Sequence, residues 1–215
     1  MSGTLVVTEI FHSIQGESSF MGLPCVFVRL TGCPLRCRWC DTDYAFQGGT
    51  RLTTDEVLTR VAAYGCRLVE VTGGEPLSQR ESLELMRRLA DAGYTVLLET
   101  SGALPIEEVD PRVHRIVDLK CPDSDEAAAN RLENLHHLSS RDEVKFVVAS
   151  RSDYEWACGM IREHALAGKA RLLFSPVHGE LDPKDLAAWL LADRVDARFQ
   201  LQLHKYIWSA DARGV

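Results

Sequence analysis

The sequence predicts an α/β fold, an incomplete (partial) TIM-like barrel of mostly parallel strands. Three observations lead there. Short apolar runs rich in β-branched residues alternate with amphipathic stretches of helical period, as a parallel sheet with crossover helices requires. Six or seven such units are visible, fewer than the eight that close a barrel. Polar residues also recur just after strands, at Glu75, Thr100, Lys120 and Ser175, and parallel strands would carry them to one rim.

Leu5 to Phe11 is rich in β-branched residues and reads as a strand, ended by the polar turn at residues 13–19. Cys25 to Leu30 is nearly continuous in apolar residues, as a buried parallel strand demands, and is broken only by Arg29. Thr53, with Glu56 three residues on, is a helix start, and that helix carries Val57, Leu58 and Val61 inward. Arg67 to Thr72 is a strand closed by Gly73-Gly74-Glu75-Pro76. Residues 79–91 place Leu83, Leu85, Met86 and Leu89 on one helical face, ending near Gly93. Strands follow at residues 94–99, 114–119, 142–149 and 171–174, and helices near 152–166 and 182–193. Residues 121–134, with Pro122, Asp123, Ser124 and Asp125, form the longest loop. No internal repeat or linker interrupts the pattern, so the expectation is a single domain over residues 1–215.

At 215 residues the chain is long enough for one well-buried domain and short for two. Lys and Arg number 24 against 31 Asp and Glu, a formal net charge of −7. That balance argues against non-specific nucleic-acid binding and favours a small-molecule partner. No apolar run approaches the ~20 residues of a membrane helix. Met1-Ser2-Gly3-Thr4 shows no secretory signal, and seven cysteines, three of them clustered, suit a reducing cytoplasm.

The chemistry centres on residues 32–42. Cys33, Cys37 and Cys40 are spaced C-x3-C-x2-C, directly after a strand, with no fourth cysteine near. A structural zinc site and an ordinary iron–sulfur cubane each take four protein ligands. Three thiolates leave one metal corner open for a small molecule. A zinc knuckle completed by His12, His178 or His204 is the competing reading, and chance thiols a third. At Thr72-Gly73-Gly74-Glu75-Pro76 the missing Cβ atoms allow backbone to approach a ligand, with Glu75 as acceptor; a tight turn with a solvated carboxylate reads equally well. Asp41-Thr42-Asp43 offers hard oxygens that suit Mg2+, or a helix cap or Asx turn. Ser101-Gly102 and Ser175-Pro176-Val177-His178 read as turns on sequence alone, and Lys120 as readily as a solvated lysine. Trp39 packs against a cofactor or in the core. Arg29, inside an apolar strand, needs a partner, whether protein or ligand.

The cysteine spacing and the Gly-Gly-Glu-Pro turn together resemble the radical S-adenosylmethionine (SAM) superfamily. Within it, Glu9-Ile10-Phe11-His12-Ser13-Ile14-Gln15-Gly16-Glu17-Ser18 resembles the E-I-F-x-S-x-Q-G-E-G opening of the 7-carboxy-7-deazaguanine synthase family. Cys33 to Thr42 resembles that family's C-x-x-x-C-x-W-C-D-T, and Leu203 to Val215 its C-terminus. The likeness covers almost the whole chain. Ser18 stands where Gly is usual and Ser101 where Asn is frequent, and neither is a cluster ligand.

The resemblance implies a barrel of the radical SAM type and a [4Fe-4S] cluster on Cys33, Cys37 and Cys40, with SAM on the fourth iron. It implies SAM contacts from Gly73, Gly74, Glu75, Gly102, Asp118, Lys120 and the loop Ser175, Pro176, Val177 and His178, and Mg2+ on Thr42. Substrate contacts would come from Ile14, Gln15, Gly16, Glu17, Arg29, Thr100 and Val215, the last through a terminal carboxylate, and Arg29 would pair with the substrate carboxylate. The implied activity is that of a radical SAM lyase. It contracts the ring of the pterin 6-carboxy-5,6,7,8-tetrahydropterin to 7-carboxy-7-deazaguanine with loss of ammonia, in queuosine and other 7-deazapurine biosynthesis. A homodimer and an electron donor such as flavodoxin or ferredoxin are implied as partners. The alternative is a glycyl-radical-enzyme activase, which shares the cysteine spacing but acts on a protein; the Gln-Gly-Glu turn speaks for a pterin pocket instead.

Overall fold

β1 (Thr4–Ile14) outruns the apolar stretch that announced it because it pairs on both sides. It lies antiparallel to β2 (Pro24–Leu30) and, through Thr4–Val7, to β3 (Thr50–Thr53). β3 is four residues long with two polar ends, so no alternation marks it in the sequence. The computed structural model describes residues 3–215 and continues from β2 into six more strands, all parallel. These are β4 (Leu68–Gly73), β5 (Thr95–Thr100), β6 (His114–Asp118), β7 (Glu143–Val148), β8 (Arg171–Pro176) and β9 (Arg198–Phe199). The order β3-β1-β2-β4-β5-β6-β7-β8-β9 leaves both edges unjoined among the described residues, so the barrel is incomplete.

α1 (Thr54–Ala63) starts at the expected capping box: Glu56 N donates to Thr53 Oγ1 at 3.2 Å, and Thr53 N to Glu56 Oε2 at 2.7 Å. α2 (Glu81–Asp91) starts two residues later than its apolar period. Gln79 is held extended there, its side-chain amide bonded to Val6 N, Val6 O and Thr31 O. α3 (Arg151–Glu163) is capped by Ser150 and α4 (Pro183–Asp193) by Asp182. Leu85, Met86 and Leu89 of α2 are fully buried against the outer face of the sheet, each contributing about 1.5–3 kcal/mol of burial.

The strand–helix alternation is less regular than expected. The β5–β6 connection carries Pro105 and Pro111 and no helix, and β6–β7 carries only 3₁₀ turns, within the loop foreseen at 121–134 and just beyond it. Proline removes a backbone donor and breaks helical bonding. Ile106, Val109, Val113, Leu135 and Leu138 fill the core instead, and buried Asn134 bonds Gly102 O and Leu104 O at 2.9 Å and Ile106 N at 3.3 Å.

The two faces of the sheet differ by the strand period of two. Val26, Val28, Val69, Val71, Leu98, Val117, Phe146 and Phe174 face the helices. On the concave face the lower layer is apolar, with Cys25, Phe27, Leu68, Leu97 and Ile116 in one cluster. Two residues further along each strand the layer turns polar: Arg29, Glu70, Glu99 and Asp118. No helix is long and apolar enough to cross a membrane among the described residues.

Candidate active site

The cysteine loop leaves the end of β2 and is pinned by backbone. Gly74 N donates to Leu30 O at 3.1 Å, Glu75 N to Gly32 O at 2.7 Å, and Gly32 N to Ala45 O at 2.8 Å. A Cβ on Gly74 would lie 2.2 Å from Gly32 O and 2.8 Å from Cys33 Cβ, and one on Gly73 would lie 2.2 Å from Leu30 O. The glycine pair thus lets the end of β4 press against the cysteine loop itself, while both glycines also line the cavity beside it.

Cys33, Cys37 and Cys40 all line one cavity of about 490 Å³. Partial burial raises all three thiols, Cys37 to about 11, while the Lys120 ammonium works the other way. Metal binding here therefore displaces protons. Among the described residues no three His, Cys, Asp or Glu side chains converge on a point that would hold a single metal ion. His178 and His204 line the cavity, and His12 does not. The three thiols open onto one cavity, an arrangement that suits a polynuclear cluster with an open corner.

The same cavity gathers Ile14, Gln15, Gly16, Glu17, Arg29, Thr42, Gly73, Gly74, Thr100, Asp118, Lys120, Val177, His178 and Val215. Glu75, Gly102, Ser175 and Pro176 are not among its lining residues. Glu75 is fully buried and its carboxylate is saturated. It accepts from Thr100 Oγ1 at 2.9 Å, Ser101 N at 2.8 Å, Ser101 Oγ at 2.6 Å and Leu77 N at 2.9 Å. Neither a solvated carboxylate nor a free acceptor describes it. Gly102 N donates to Thr100 Oγ1 at 3.2 Å, and buried Ser175 Oγ has no partner. Trp39 is half-buried on the cavity wall, 5.0 Å from the Arg38 guanidinium, and not in the core. The Thr42 hydroxyl caps no helix; it donates to Asp41 Oδ1 at 3.0 Å.

Arg29 has a protein partner on one side of its guanidinium. Its Nε donates to Glu9 Oε1 at 2.8 Å, where Tyr44 OH also donates at 2.7 Å. Its two Nη atoms carry no hydrogen bond among the described residues, and Arg29 lines the cavity. Phe11 and Phe27 stack with ring centroids 4.9 Å apart and form an aromatic wall beside it.

The floor is a chain of buried charges. Gln15 Nε2 donates to Glu70 Oε2, and Glu17 N to Gln15 Oε1 at 2.9 Å. Lys145 Nζ contacts Glu17 Oε2 at 2.8 Å, Glu99 Oε1, and Asp118 Oδ2 at 3.4 Å; Lys120 Nζ pairs with the same Asp118 oxygen at 2.9 Å. Burial pushes Glu17 up, but Lys145 and His204 overrule it and hold the carboxyl at about 2. Glu70, also raised by burial and by the charges of Glu99 and Glu17, titrates well above the carboxylate range. The C-terminal segment forms the roof: Gln202 Nε2 donates to Glu17 Oε1 at 3.0 Å, Lys205 Nζ to Asp41 Oδ2 at 2.7 Å, and Leu203 N to Gly16 O at 2.9 Å. A short helix, α5 (His204–Ile207), follows.

Residues 27–119 match the radical SAM superfamily. Over 98% of its length the chain is 53% identical to the 7-carboxy-7-deazaguanine synthase of Chlorobaculum tepidum, covering 97% of that protein. The chain belongs to the 7-carboxy-7-deazaguanine synthase family. The protein of that name from Koribacter versatilis is 47% identical over 97% of this chain and 99% of its own. The fold matches the crystal structure of QueE from Escherichia coli with a TM-score of 0.78 at 23% identity, covering 94% of this chain and 95% of that one.

Membership in the 7-carboxy-7-deazaguanine synthase family makes the chain a radical SAM enzyme, which implies a [4Fe-4S] cluster and SAM, and sets aside the activase alternative. Sequence reasoning missed Glu9, Tyr44, Glu70, Glu99, Lys145, Gln202 and Lys205. A signal existed for three. Glu70, Glu99 and Lys145 are charges inside apolar strands, as Arg29 is, and the argument that singled out Arg29 applies to each. Gln202 and Lys205 carry no local signal, because only the closing of the chain end over the cavity brings them in.

Proposed function

We propose that this chain is a 7-carboxy-7-deazaguanine synthase, converting 6-carboxy-5,6,7,8-tetrahydropterin to 7-carboxy-7-deazaguanine with loss of ammonia. The observation that carries the reading is the near-full-length identity of 53% to a protein of that name. The cavity supports it, since the Gln-Gly-Glu turn and the cysteine loop line the same space.

When bound, the cluster and SAM supply a 5′-deoxyadenosyl radical; the chain supplies placement and shielding. Cys33, Cys37 and Cys40 hold the cluster, and Gly73 and Gly74 set the loop that carries them. Glu75 orients Thr100 and Ser101 from behind, so that the Thr100 hydroxyl meets substrate. Asp118, Lys120, Val177 and His178 flank SAM, with Gly102, Ser175 and Pro176 supporting them from beneath. Ile14, Gln15, Gly16 and Glu17 read the edge of the pterin, and the Nη fork of Arg29 pairs with its carboxylate. Phe11, Phe27 and Tyr44 limit water there. Thr42 gives Mg2+ one protein ligand, the rest coming from water and substrate; Val215 completes the wall. A cytoplasmic homodimer fed by flavodoxin or ferredoxin, with a product directed to queuosine or another 7-deazapurine, completes the reading.

The test is anaerobic reconstitution followed by incubation with SAM, dithionite, Mg2+ and carboxytetrahydropterin. The expected outcome is 7-carboxy-7-deazaguanine, with SAM regenerated. A fully loaded cluster that yields no product, or a centre capped by four protein ligands, overturns the proposal.

A further inference from the structure

The inference here rests on the pterin reading above and concerns a buried and a half-buried charge on the cavity floor. Lys145 is an interior lysine whose side chain is only 4% exposed. Its ammonium meets three carboxylates from three elements: Glu17 after β1, Glu99 of β5 and Asp118 of β6. Burying so many charges around one ammonium carries a desolvation cost that their mutual attraction offsets only where the geometry is good and the remaining acceptors find donors. Three carboxylates, Glu17, Glu99 and Asp118, share two ammoniums, Lys145 and Lys120, so the floor has a surplus of acceptors.

The acceptors are not equivalent. Both oxygens of Glu17 are taken, by Lys145 and by Gln202. Asp118 Oδ1 is buried and unpartnered. Glu99 gives Oε1 to Lys145, and its other oxygen carries no hydrogen bond among the described residues. Its side chain is 24% exposed and lines the cavity, next to Thr100. An acceptor that lines the cavity and has no protein donor is open to a donor from a ligand. Phe27 on β2 and Leu97 on β5 form the apolar layer beneath these groups, which suits a flat heterocycle whose rim carries N–H donors.

We propose that Glu99 is a specificity-determining residue that accepts an N–H hydrogen bond from the pterin, and that Lys145 is a positioning residue that aims Glu99 at it. Glu99→Gln keeps the shape, removes the charge and replaces one of the two acceptor oxygens with an NH2 donor, so that Lys145 and the pterin can no longer both be accepted. It should raise KM for carboxytetrahydropterin, and the Kd of the pterin for the reconstituted protein, by about 10- to 100-fold, the loss expected for one hydrogen bond to an ionised group. SAM affinity should stay within about twofold. Lys145→Met should shift KM in the same direction, and the double variant should be no worse than the poorer single, because both act through one contact. A purely structural Lys145 would instead lower melting temperature, SAM affinity and KM effects together, and its effect would add to that of Glu99→Gln. If Lys145→Met does not fold, Glu99→Gln alone decides. A wild-type enzyme that turns over the pterin beside a Glu99→Gln variant with unchanged KM and Kd overturns this inference and leaves the proposed function standing. A loaded wild-type enzyme that makes no product overturns the proposed function itself.

Discussion

Gly74→Ala tests the claim that the glycine pair exists to seat the cysteine loop. The added Cβ would lie 2.2 Å from Gly32 O, 2.6 Å from Gly32 C and 2.8 Å from Cys33 Cβ. Ordinary contact is about 3.4 Å, so the loop must retreat by about 1 Å. None of the three atoms is the end of a flexible side chain, so the strain cannot be relieved by a rotamer change. The retreat loosens two backbone bonds, Gly74 N to Leu30 O and Glu75 N to Gly32 O, worth about 1 kcal/mol each. Overpacking adds about 1–3 kcal/mol. A cost of about 4 kcal/mol corresponds to a drop in melting temperature on the order of 10 °C for a chain of this size. Cys33 moves with the loop, so iron content after anaerobic reconstitution should fall by at least about half. Gly32→Ala is the control. Its backbone has φ +98° but open space around a new Cβ, so it should cost only backbone strain of about 1–2 kcal/mol and should load more iron than Gly74→Ala. A Gly74→Ala protein that melts within about 3 °C of wild type and binds a full cluster refutes the reasoning.

Glu70→Gln should be a stabilising change whose size depends on pH. The folded carboxyl of Glu70 titrates well above its usual 4.5, through burial and then through Glu99 and Glu17. A raised carboxyl contributes fully below 4.5 and loses that contribution as pH rises toward its folded value. The variant's advantage in melting temperature should therefore be larger at pH 8 than at pH 5; thermal scans giving equal gaps would count against a protonated Glu70. Arg29→Lys removes the fork and keeps the charge, so KM for the pterin should rise about 10- to 100-fold while SAM affinity holds; unchanged KM would mean that Arg29 serves only Glu9. Gly16→Ala puts a Cβ 2.3 Å from His204 Nδ1 and 3.1 Å from His204 N. It should speed amide hydrogen exchange across residues 202–208 and leave iron content unchanged, and slow exchange there would show that the roof tolerates the methyl group.

The sequence by itself determined most of the strands and helices and singled out the candidate cluster cysteines. Burying strands on both faces forces apolar runs, so β2 and β4 to β8 announce themselves. A capping box is a four-residue pattern, so α1 is legible at Thr53. The three thiols lie within eight residues, so the spacing that makes them candidate ligands is written along the chain. Only the tertiary structure decided what Glu75, Gln202 and Lys205 do. Glu75 looked like a free acceptor beside two glycines, yet the end of β5 supplies donors from Thr100 and Ser101 that fill it. Lys145 meets Glu17 across 128 residues and Glu99 across 46. Such contacts leave no spacing rule behind, because the sheet order and the period-two alternation of its strands set which charges share the concave face. The local pattern could show that a charge lay inside a strand; its partner was chosen by the neighbouring strands.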